Sequence, residues 1–298
     1  MAQQLRTIKR RITSVKSTQK ITRAMELIAS SRIIKAQQRV EQARPYAQQM
    51  RRLMISVAKR MGTVEHPLLE GRDEVNRIGT IVITADRGLA GAYNSNIIRR
   101  AERDLHDHGK EPELFLVGKK AVNYFKFRGY DFEHSWLGVT DRPSVQDARV
   151  VATAAAEAFL KGTVDEVRLA YTRYESAMTQ RTNIIKLLPL PKEITEEDAR
   201  AAEGPQPSYE FEPAPADILD ALLPRYLEGT IYQGMLESSA SEHAARRRAM
   251  KAATDNADEL METLNRVYNQ ARQAEITTEI MEVVGGAEAL TTSAKEGN

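Results

Sequence analysis

The sequence predicts an α/β fold, in which N- and C-terminal helices form a long antiparallel coiled coil and a central Rossmann-like α/β domain lies between them in the chain. The chain has no proline after Pro224 and no glycine between Met235 and Val284. Both ends repeat apolar residues at alternating spacings of three and four, which is the heptad pattern of a coiled coil. Between the ends, short runs rich in Val and Ile alternate with amphipathic segments, as in a parallel sheet with connecting helices.

We expect residues 1–62 to form the N-terminal coiled-coil helix. Its apolar seam comes in two pieces, which are Leu5, Ile8, Ile12 and Val15, and then Ala36, Val40, Ala43, Ala47, Met50, Met54, Val57 and Met61. Between these pieces, the extended seam would bury Gln19, Thr22 and Glu26. The apolar residues of this stretch stand instead at Ile21, Met25 and Ile28. The apolar stripe therefore moves round the helix, and we expect it to face something besides the second helix.

We expect residues 217–288 to form the C-terminal coiled-coil helix. Its seam is Met250, Ala253, Ala257, Leu260, Leu264, Val267, Ala271, Ala274, Thr278 and Met281. Since the middle of the chain joins the end of one helix to the start of the other, the two pair most easily when antiparallel. At 1.5 Å per residue, about 58 and about 68 residues span roughly 85 to 90 Å and roughly 100 Å, so the second helix overhangs the first. The alternative is two separate amphipathic helices folded against a domain too small to cover them.

Composition and charge narrow the classes of function. The 298 residues are 42% apolar, contain no cysteine and show no run near 18 apolar residues, which excludes disulfides, thiol catalysis and a helical membrane span. Residues 1–60 hold 15 Lys and Arg against Glu26 and Glu41, a local charge of +13 that leaves −11 for the rest of the chain. Such a helix has a solvated face, a nucleic-acid surface or an acidic protein partner. Nucleic acid is disfavoured because Tyr46 is the only aromatic residue of this first helix that could stack on bases. A mitochondrial presequence is disfavoured because the seam begins at Leu5.

We expect residues 76–192 to form the central domain. The predicted strands are 78–85, 114–117, 167–174 and 183–188, and the last two are close enough to pair antiparallel. Predicted helices cover 94–106, capped by Asn94 or Ser95, then 119–127, and a third that is capped at Ser144 and closed at Gly162. The order implies a parallel sheet with an antiparallel edge. From Glu193 to Asp217 the chain has four prolines and eight acidic residues, so 193–216 is expected to be an acidic connector.

The central domain lacks the signatures of catalysis. Gly88 and Gly91 lie in a predicted strand-to-helix turn, ADRGLAGAYNSN, where nucleotide-binding folds place a phosphate loop, but this spacing alone is weak evidence. The chain has no GxxxxGK[ST], GxSxG or HExxH motif. Its five histidines lack ligand spacing apart from the pair His106 and His108, which is favoured as a solvated helix end. A turn cap or a structural ion pair is favoured over a catalytic role for Asp86 and Arg87. We therefore expect no catalytic residue, cofactor or metal site.

Four segments together carry a specific resemblance. They are ITRAMELIASSR (21–32), ADRGLAGAYNSN (85–96), SEHAARRRAMKAATDNA (241–257) and YNQARQAEITTEIMEVVGGAEAL (268–290). In this order they resemble the marker segments of the gamma subunit of F-type ATP synthase. Ile276, Thr277, Glu279, Glu282, Gly286, Ala287 and Ala289 fit that family's C-terminal signature. The sequence departs from the family at Ala90, where cysteine is frequent, and at Ser31 and Arg32.

The resemblance implies a rotating shaft and no enzymatic activity of this chain's own. Its implied partners are a hexameric ring of alpha and beta subunits, where ATP is made or hydrolysed, an epsilon subunit, and a membrane c-ring. The implied location is the cytoplasmic face of a bacterial cell membrane, with membrane contact only through the rotor. The alternative function is a nucleotide-dependent enzyme whose coiled-coil arm binds nucleic acid.

The resemblance also implies three sets of partner-binding residues. Lys20, Arg23 and Met25 would face an acidic lever of the beta subunits. A second set would engage the catch loops of the beta subunits, and it comprises Arg272, Gln273, Thr277 and Glu279. Tyr209 and Glu212, in the connector, would meet the rotor ring.

Overall fold

The computed structural model describes residues 2–61, 66–72, 74–190 and 215–296. In chain order the elements are α1 (Ala2–Met61), β1 (Arg77–Ile83), α2 (Tyr93–His108), β2 (Glu111–Val117), α3 (Lys119–Phe127), β3 (His134–Trp136), α4 (Val145–Leu160), β4 (Glu166–Tyr174), β5 (Gln180–Leu188) and α5 (Pro215–Glu296). Helix α1 has 60 residues and α5 has 82, so α5 extends beyond the expected 217–288 at both ends. The connector at 193–216 falls almost entirely outside the described residues.

The sheet has the predicted topology. Its strand order is β3-β2-β1-β4-β5, with β5 antiparallel to β4 and the other neighbours parallel. Strand β1 lies at the centre, and Ile81 and Val82 on its two faces are fully buried. One face packs against α4 and part of α5, and the other packs against α2 and α3. The parallel core with an antiparallel edge is therefore confirmed.

Local details differ from the prediction at two places. Strand β3 was not predicted, because its three residues are too few to show an alternating pattern. Neither Asn94 nor Ser95 caps α2, so that prediction was wrong, and Ala92 occupies the N-cap position. The Asn94 side chain instead accepts a hydrogen bond from the Ala85 N–H at 2.9 Å. At α4 the prediction is confirmed, because Ser144 and Asp147 form a reciprocal capping box.

The chain divides into two compact units. We call the ends, up to Leu27 and from Ala249 onward, the terminal unit, and Ile28–Arg248 the central unit. In the central unit, α1 residues Ile33, Ala36 and Val40 pack against α5 at three buried positions, which are Leu236, Ala240 and Ala244. Further residues of α5 enter the sheet core, and they are Leu223, Leu227, Ile231 and Met235.

In the terminal unit, two hydrogen bonds join α1 to α5. The Thr22 and Thr254 hydroxyl oxygens lie 2.8 Å apart, and Gln19 Nε2 donates to Asp258 Oδ1. As the residue number falls on α1 it rises on α5, so within this unit the helices run antiparallel.

The polar residues predicted to interrupt the α1 seam remain in it. Thr22 is 7% exposed, whereas Ile21 is 58% and Ile28 is 54% exposed. The seam keeps its line along the helix, and the apolar stripe turns outward. The apolar residues of this stretch therefore leave the seam, as predicted. The hydrogen bonds of Gln19 and Thr22 allow polar side chains to occupy it instead.

The α5 seam was predicted with several wrong alternate positions. The buried and half-buried residues from Met250 onward are Met250, Ala253, Thr254, Ala257, Met261, Leu264, Tyr268, Ala271, Glu275 and Thr278. Leu260, Val267 and Met281, which the prediction placed inside, are 40%, 43% and 68% exposed. Ala274 is also exposed, and Met261, Tyr268 and Glu275 occupy the positions predicted for Leu260, Val267 and Ala274, whereas the predicted Ala253 is half-buried beside Thr254. Both sets share Met250, Ala257, Leu264, Ala271 and Thr278, which are seven residues apart.

Candidate partner-binding surfaces

The basic residues predicted to contact a partner near the N-terminus lie on an open face of the terminal unit. Lys20 and Arg23 are exposed, and they line a shallow groove of about 420 Å³ with Gln19, Ala24, Leu27, Thr254 and Asp258. Arg23 also lies 3.4 Å from Glu26 Oε2. Met25 is half-buried, whereas Leu27 is 61% exposed. The groove thus carries two cations, the Asp258 carboxylate and an apolar wall at Ala24 and Leu27.

The four residues predicted near the C-terminus share a second surface. Arg272, Gln273, Thr277 and Glu279 are all exposed. Their helical spacing places them on one side of α5 with Ile276 and Ile280, which are 46% and 56% exposed. The Thr277 hydroxyl donates to the Gln273 carbonyl at 2.9 Å. This surface combines polar groups with exposed apolar side chains.

The two residues predicted to meet a rotor ring, Tyr209 and Glu212, lie outside the described residues.

The strand-to-helix turn after β1 is filled by the protein itself. In doubly wound folds a ligand binds outside the carboxyl ends of the strands, at the point where strand order reverses. Here the Arg246 guanidinium donates to the Gly88 carbonyl at 3.1 Å. Asp86 accepts from the Lys119 backbone N–H at 3.0 Å and from the Thr140 hydroxyl at 2.8 Å, as the predicted turn cap. These hydrogen bonds lower the pKa of Asp86 although its burial opposes them. These contacts connect the turn to neighbouring segments of the protein, so its role is structural and it does not form a phosphate loop.

A buried polar cluster under this turn was missed by sequence reasoning. Arg246 pairs with Glu242 at 2.6 Å, and both side chains are under 10% exposed. Burial raises the pKa of Glu242, although Arg246 opposes the shift. Burial lowers the pKa of His243 to about 4, although Asp141 opposes it at 3.6 Å. Asp141 also pairs with Arg32 of α1 at 2.5 Å.

Small hydroxyl residues complete this cluster against β4. Ser238 accepts from the Thr172 N–H, and Ser241 donates to the Thr172 carbonyl, each at 3.2 Å. The segment ESSASEH was the available signal, because it carries small and polar residues where a heptad would place large apolar ones. Such residues allow a helix to approach a strand backbone closely and to bond to it.

Neither a metal centre nor a membrane helix is found in the part of the chain that the structure describes. No three His, Asp or Glu side chains are grouped as metal ligands within those residues. None of the described helices is both long and apolar enough to cross a membrane.

Comparison with known proteins identifies the family. A family model described as "ATP synthase" matches residues 4–290. The ATP synthase gamma chain of Parafrankia sp. (strain EAN1pec) is 50% identical over 301 residues, covering 99% of this chain and 100% of that protein. The ATP synthase gamma chain of Thermobifida fusca (strain YX) is 49% identical over 300 residues, covering 97% of each.

Solved structures agree at the level of the fold. A chain in a cryo-EM structure of the Euglena gracilis mitochondrial ATP synthase (OSCP/F1/c-ring, rotational state 3) has a TM-score of 0.69 and 20% identity, covering 99% of this chain and 97% of that chain. One from the central stalk and c-ring of the Tetrahymena thermophila mitochondrial ATP synthase has a TM-score of 0.60 and 23% identity, covering 78% and 99%.

The fold defines a class of protein in which two long helices stand at the two ends of the chain and a side chain of the second helix occupies the turn after β1 of an α/β domain. The chain belongs to the ATP synthase gamma chain family. None of these comparisons supports the alternative of a nucleotide-dependent enzyme that binds nucleic acid.

Proposed function

We propose that this chain is the central rotating shaft of an F-type ATP synthase. It couples ion flow through a membrane rotor to ATP synthesis or hydrolysis on a ring of alpha and beta subunits. The observation that carries the proposal is the near 50% identity to gamma chains over almost the whole length of both proteins. The chain itself performs no catalysis.

The proposed shaft is an antiparallel coiled coil of α1 and α5. The cross-helix hydrogen bonds at Thr22 and Gln19, and the apolar packing at Ile33, Ala36 and Val40, support this pairing. A shaft changes the affinity of a surrounding subunit only by contacting its conformations differently. The two helices have unlike outer faces, with basic residues concentrated on α1, so each ring subunit would meet a different surface as the shaft turns.

Two surfaces would contact the beta subunits. Lys20, Arg23 and Met25 would meet an acidic lever, and the two exposed cations match that charge. The second surface would engage the catch loops through Arg272, Gln273, Thr277 and Glu279. Its exposed position on α5 favours this role over a role in helix pairing.

The remaining contacts would lie toward the membrane. The domain at 76–192 and the acidic connector at 193–216 would meet an epsilon subunit and the c-ring, with Tyr209 and Glu212 on the ring. The helices at 1–62 and 217–288 would enter the alpha and beta ring. The complex would lie at the cytoplasmic face of a bacterial cell membrane, where this chain is a peripheral subunit.

Reconstitution tests the proposal. The purified chain, mixed with the alpha and beta subunits of the same organism, is expected to restore ATP hydrolysis and rotation of an attached probe, and to hydrolyse no ATP alone. Arg272→Ala with Gln273→Ala should lower the hydrolysis rate at least several-fold.

Arg266→Ala is the matched control, because Arg266 is exposed on the same helix about two turns before Gln273, outside the predicted partner-binding residues, and should leave the rate unchanged. Failure to restore activity with a folded chain would overturn the shaft. An equal loss in the Arg266 control would overturn the assignment of the C-terminal surface.

A further inference from the structure

A cleft of about 480 Å³ opens in the central unit, and its lining includes none of the residues predicted to contact the beta subunits. Residues from α1, from the edge strand β5 and its neighbour β4, and from α5 form its walls. Four tyrosines line it, and they are Tyr46, Tyr171, Tyr174 and Tyr226. Its volume and aromatic walls are those of a small-molecule site.

One side of α5 leaves room for a ligand. Gly229, Gln233 and Glu237 follow one another at four-residue spacing, so they lie along the same stripe of the helix. At Gly229 the stripe has no side chain, and an added Cβ would sit 3.5 Å from the Tyr46 ring. Glycine inside a helix is unfavourable relative to alanine. Its presence here keeps open the space between α5 and the Tyr46 ring.

The floor of the cleft carries polar atoms that lack partners. Glu237 is 8% exposed, and its Oε1 accepts from Gln233 Nε2 at 2.8 Å. Among the residues that the structure describes, neither Glu237 Oε2 nor Gln233 Oε1 has a hydrogen-bond partner. Buried polar atoms are normally bonded, so two neighbouring exceptions at the floor of one cavity point to a ligand that supplies them.

The chemistry of these two groups defines what binds them. Burial raises the pKa of Glu237, while its bond from Gln233, a hydrogen bond with the Tyr174 backbone and the charges of Arg173 and Arg44 oppose the shift. A protonated Glu237 offers a donor beside the acceptor oxygen of Gln233. This side-by-side pair matches the edge of a planar heterocycle with an amino group next to a ring nitrogen.

The rim is positive. The cleft is also lined by Arg44 and Arg173, and both side chains are exposed. Guanidinium groups bind phosphate through paired hydrogen bonds and attract anions toward a cleft. The ligand therefore combines a planar base with an acidic group.

We propose that this cleft binds a nucleoside phosphate, with the base between the tyrosines and above Gln233 and Glu237, and the phosphate at Arg44 and Arg173. The site lies apart from the turn after β1, which is filled by Arg246. It involves no bond making or breaking and leaves the chain non-catalytic.

Calorimetry on the full chain tests the site with AMP as probe, and with adenosine and ribose 5-phosphate as its separate halves. AMP is expected to bind with one-to-one stoichiometry, and each half at least tenfold more weakly. Gly229→Leu, which keeps a good helix former but fills the cleft, should weaken AMP at least tenfold. Gly229→Ala is the control, since its methyl makes only ordinary contact with Tyr46 and should change affinity less than threefold.

Two further variants test where the phosphate binds and whether binding occurs in this cleft. Arg173→Gln should weaken AMP several-fold and leave adenosine unchanged. Lys120→Gln, beside Gly88 in the filled turn, should leave AMP unchanged.

The proposal is overturned if AMP produces no binding heat, if Gly229→Leu binds as well as Gly229→Ala, or if Lys120→Gln abolishes binding. Circular dichroism on each variant verifies folding. Reconstitution with alpha and beta subunits is scored separately, so loss of this site leaves the shaft function testable.

Discussion

The hydroxyls of Thr22 and Thr254 meet across the α1 and α5 seam at 2.8 Å. Each hydroxyl also lies within bonding distance of a carbonyl of its own helix, Gln19 at 3.0 Å and Met250 at 2.9 Å. The two hydroxyls have only two donor protons, so two of these three contacts can be hydrogen bonds at one time. One hydroxyl then donates across the seam and the other donates to a carbonyl of its own helix, so both protons are bonded and the pair fixes which residues face each other.

Removing both hydroxyls tests this account. Thr22→Val or Thr254→Val alone is expected to lower the free energy of unfolding by about 1 kcal/mol, because the bond across the seam is lost and the remaining hydroxyl faces an apolar group. The double variant should cost less than the sum of the two, since two apolar groups of similar shape then meet. Chemical denaturation followed by helical circular dichroism gives the three values. Additive losses would contradict a direct bond.

The phase of the α5 seam gives a second prediction. Leu264 is 9% exposed and Leu260 is 40% exposed. Leu264→Ala should cost about 2 kcal/mol or more, because it removes buried apolar surface and leaves a cavity, whereas Leu260→Ala should cost below about 1 kcal/mol. Thermal melting of the two variants side by side measures the difference. A larger loss for Leu260 would support the heptad phase expected from sequence.

Helix capping gives a third prediction with its own control. Ser144 caps α4, whereas Ser95 lies inside α2 and bonds only to the Ala92 carbonyl. Ser144→Ala should cost about 1 kcal/mol of unfolding free energy, and Ser95→Ala a few tenths at most. Denaturation midpoints of both variants provide the measurement. Equal midpoints would show that the capping box does not form in solution.

The pH dependence of stability should contain a contribution from His243. The side chain is 3% exposed, and burial lowers its pKa from 6.5 to about 4. Between these values the unfolded state binds the proton and the folded state does not, so stability falls as pH drops from about 6.5 toward 4. The full loss is up to about 3 kcal/mol.

Comparison with His243→Gln isolates this contribution. Glu242 has the opposite dependence, because its pKa is raised, but it is present in both proteins and cancels in their difference. The difference in unfolding free energy between the two proteins should decrease as the pH is lowered from about 6.5 toward 4. A constant difference from pH 7 to 4.5 would rule out a buried neutral His243.

Sequence patterns predicted most of the fold because the relevant signals are local. The strand at β1 and the cap at Ser144 depend on a few adjacent residues. The same reasoning missed β3, whose three residues form a strand only because β2 lies beside them. It also chose Leu260 over Met261 for the seam, since both satisfy nearly the same spacing and only contact with α1 distinguishes them.

Sequence reasoning likewise indicated some candidate binding residues and missed others. Arg272 and Gln273 were selected by resemblance, and their exposure fits that selection without testing it. No motif pointed to the cleft at Gly229 and Glu237, because its walls come from segments nearly 190 residues apart in the chain.

By itself, the sequence determined the two long helices, the alternating α/β domain between them, the basic N-terminal arm and the family. These follow from periodicity, composition and segment order, which need no knowledge of distant contacts. Only the tertiary structure decided which faces of the helices are buried, that Arg246 fills the crevice after β1, and that Gln233 and Glu237 meet in an open cleft. Burial and hydrogen bonding between distant residues are properties of packing, and the same helical pattern is compatible with more than one way of pairing.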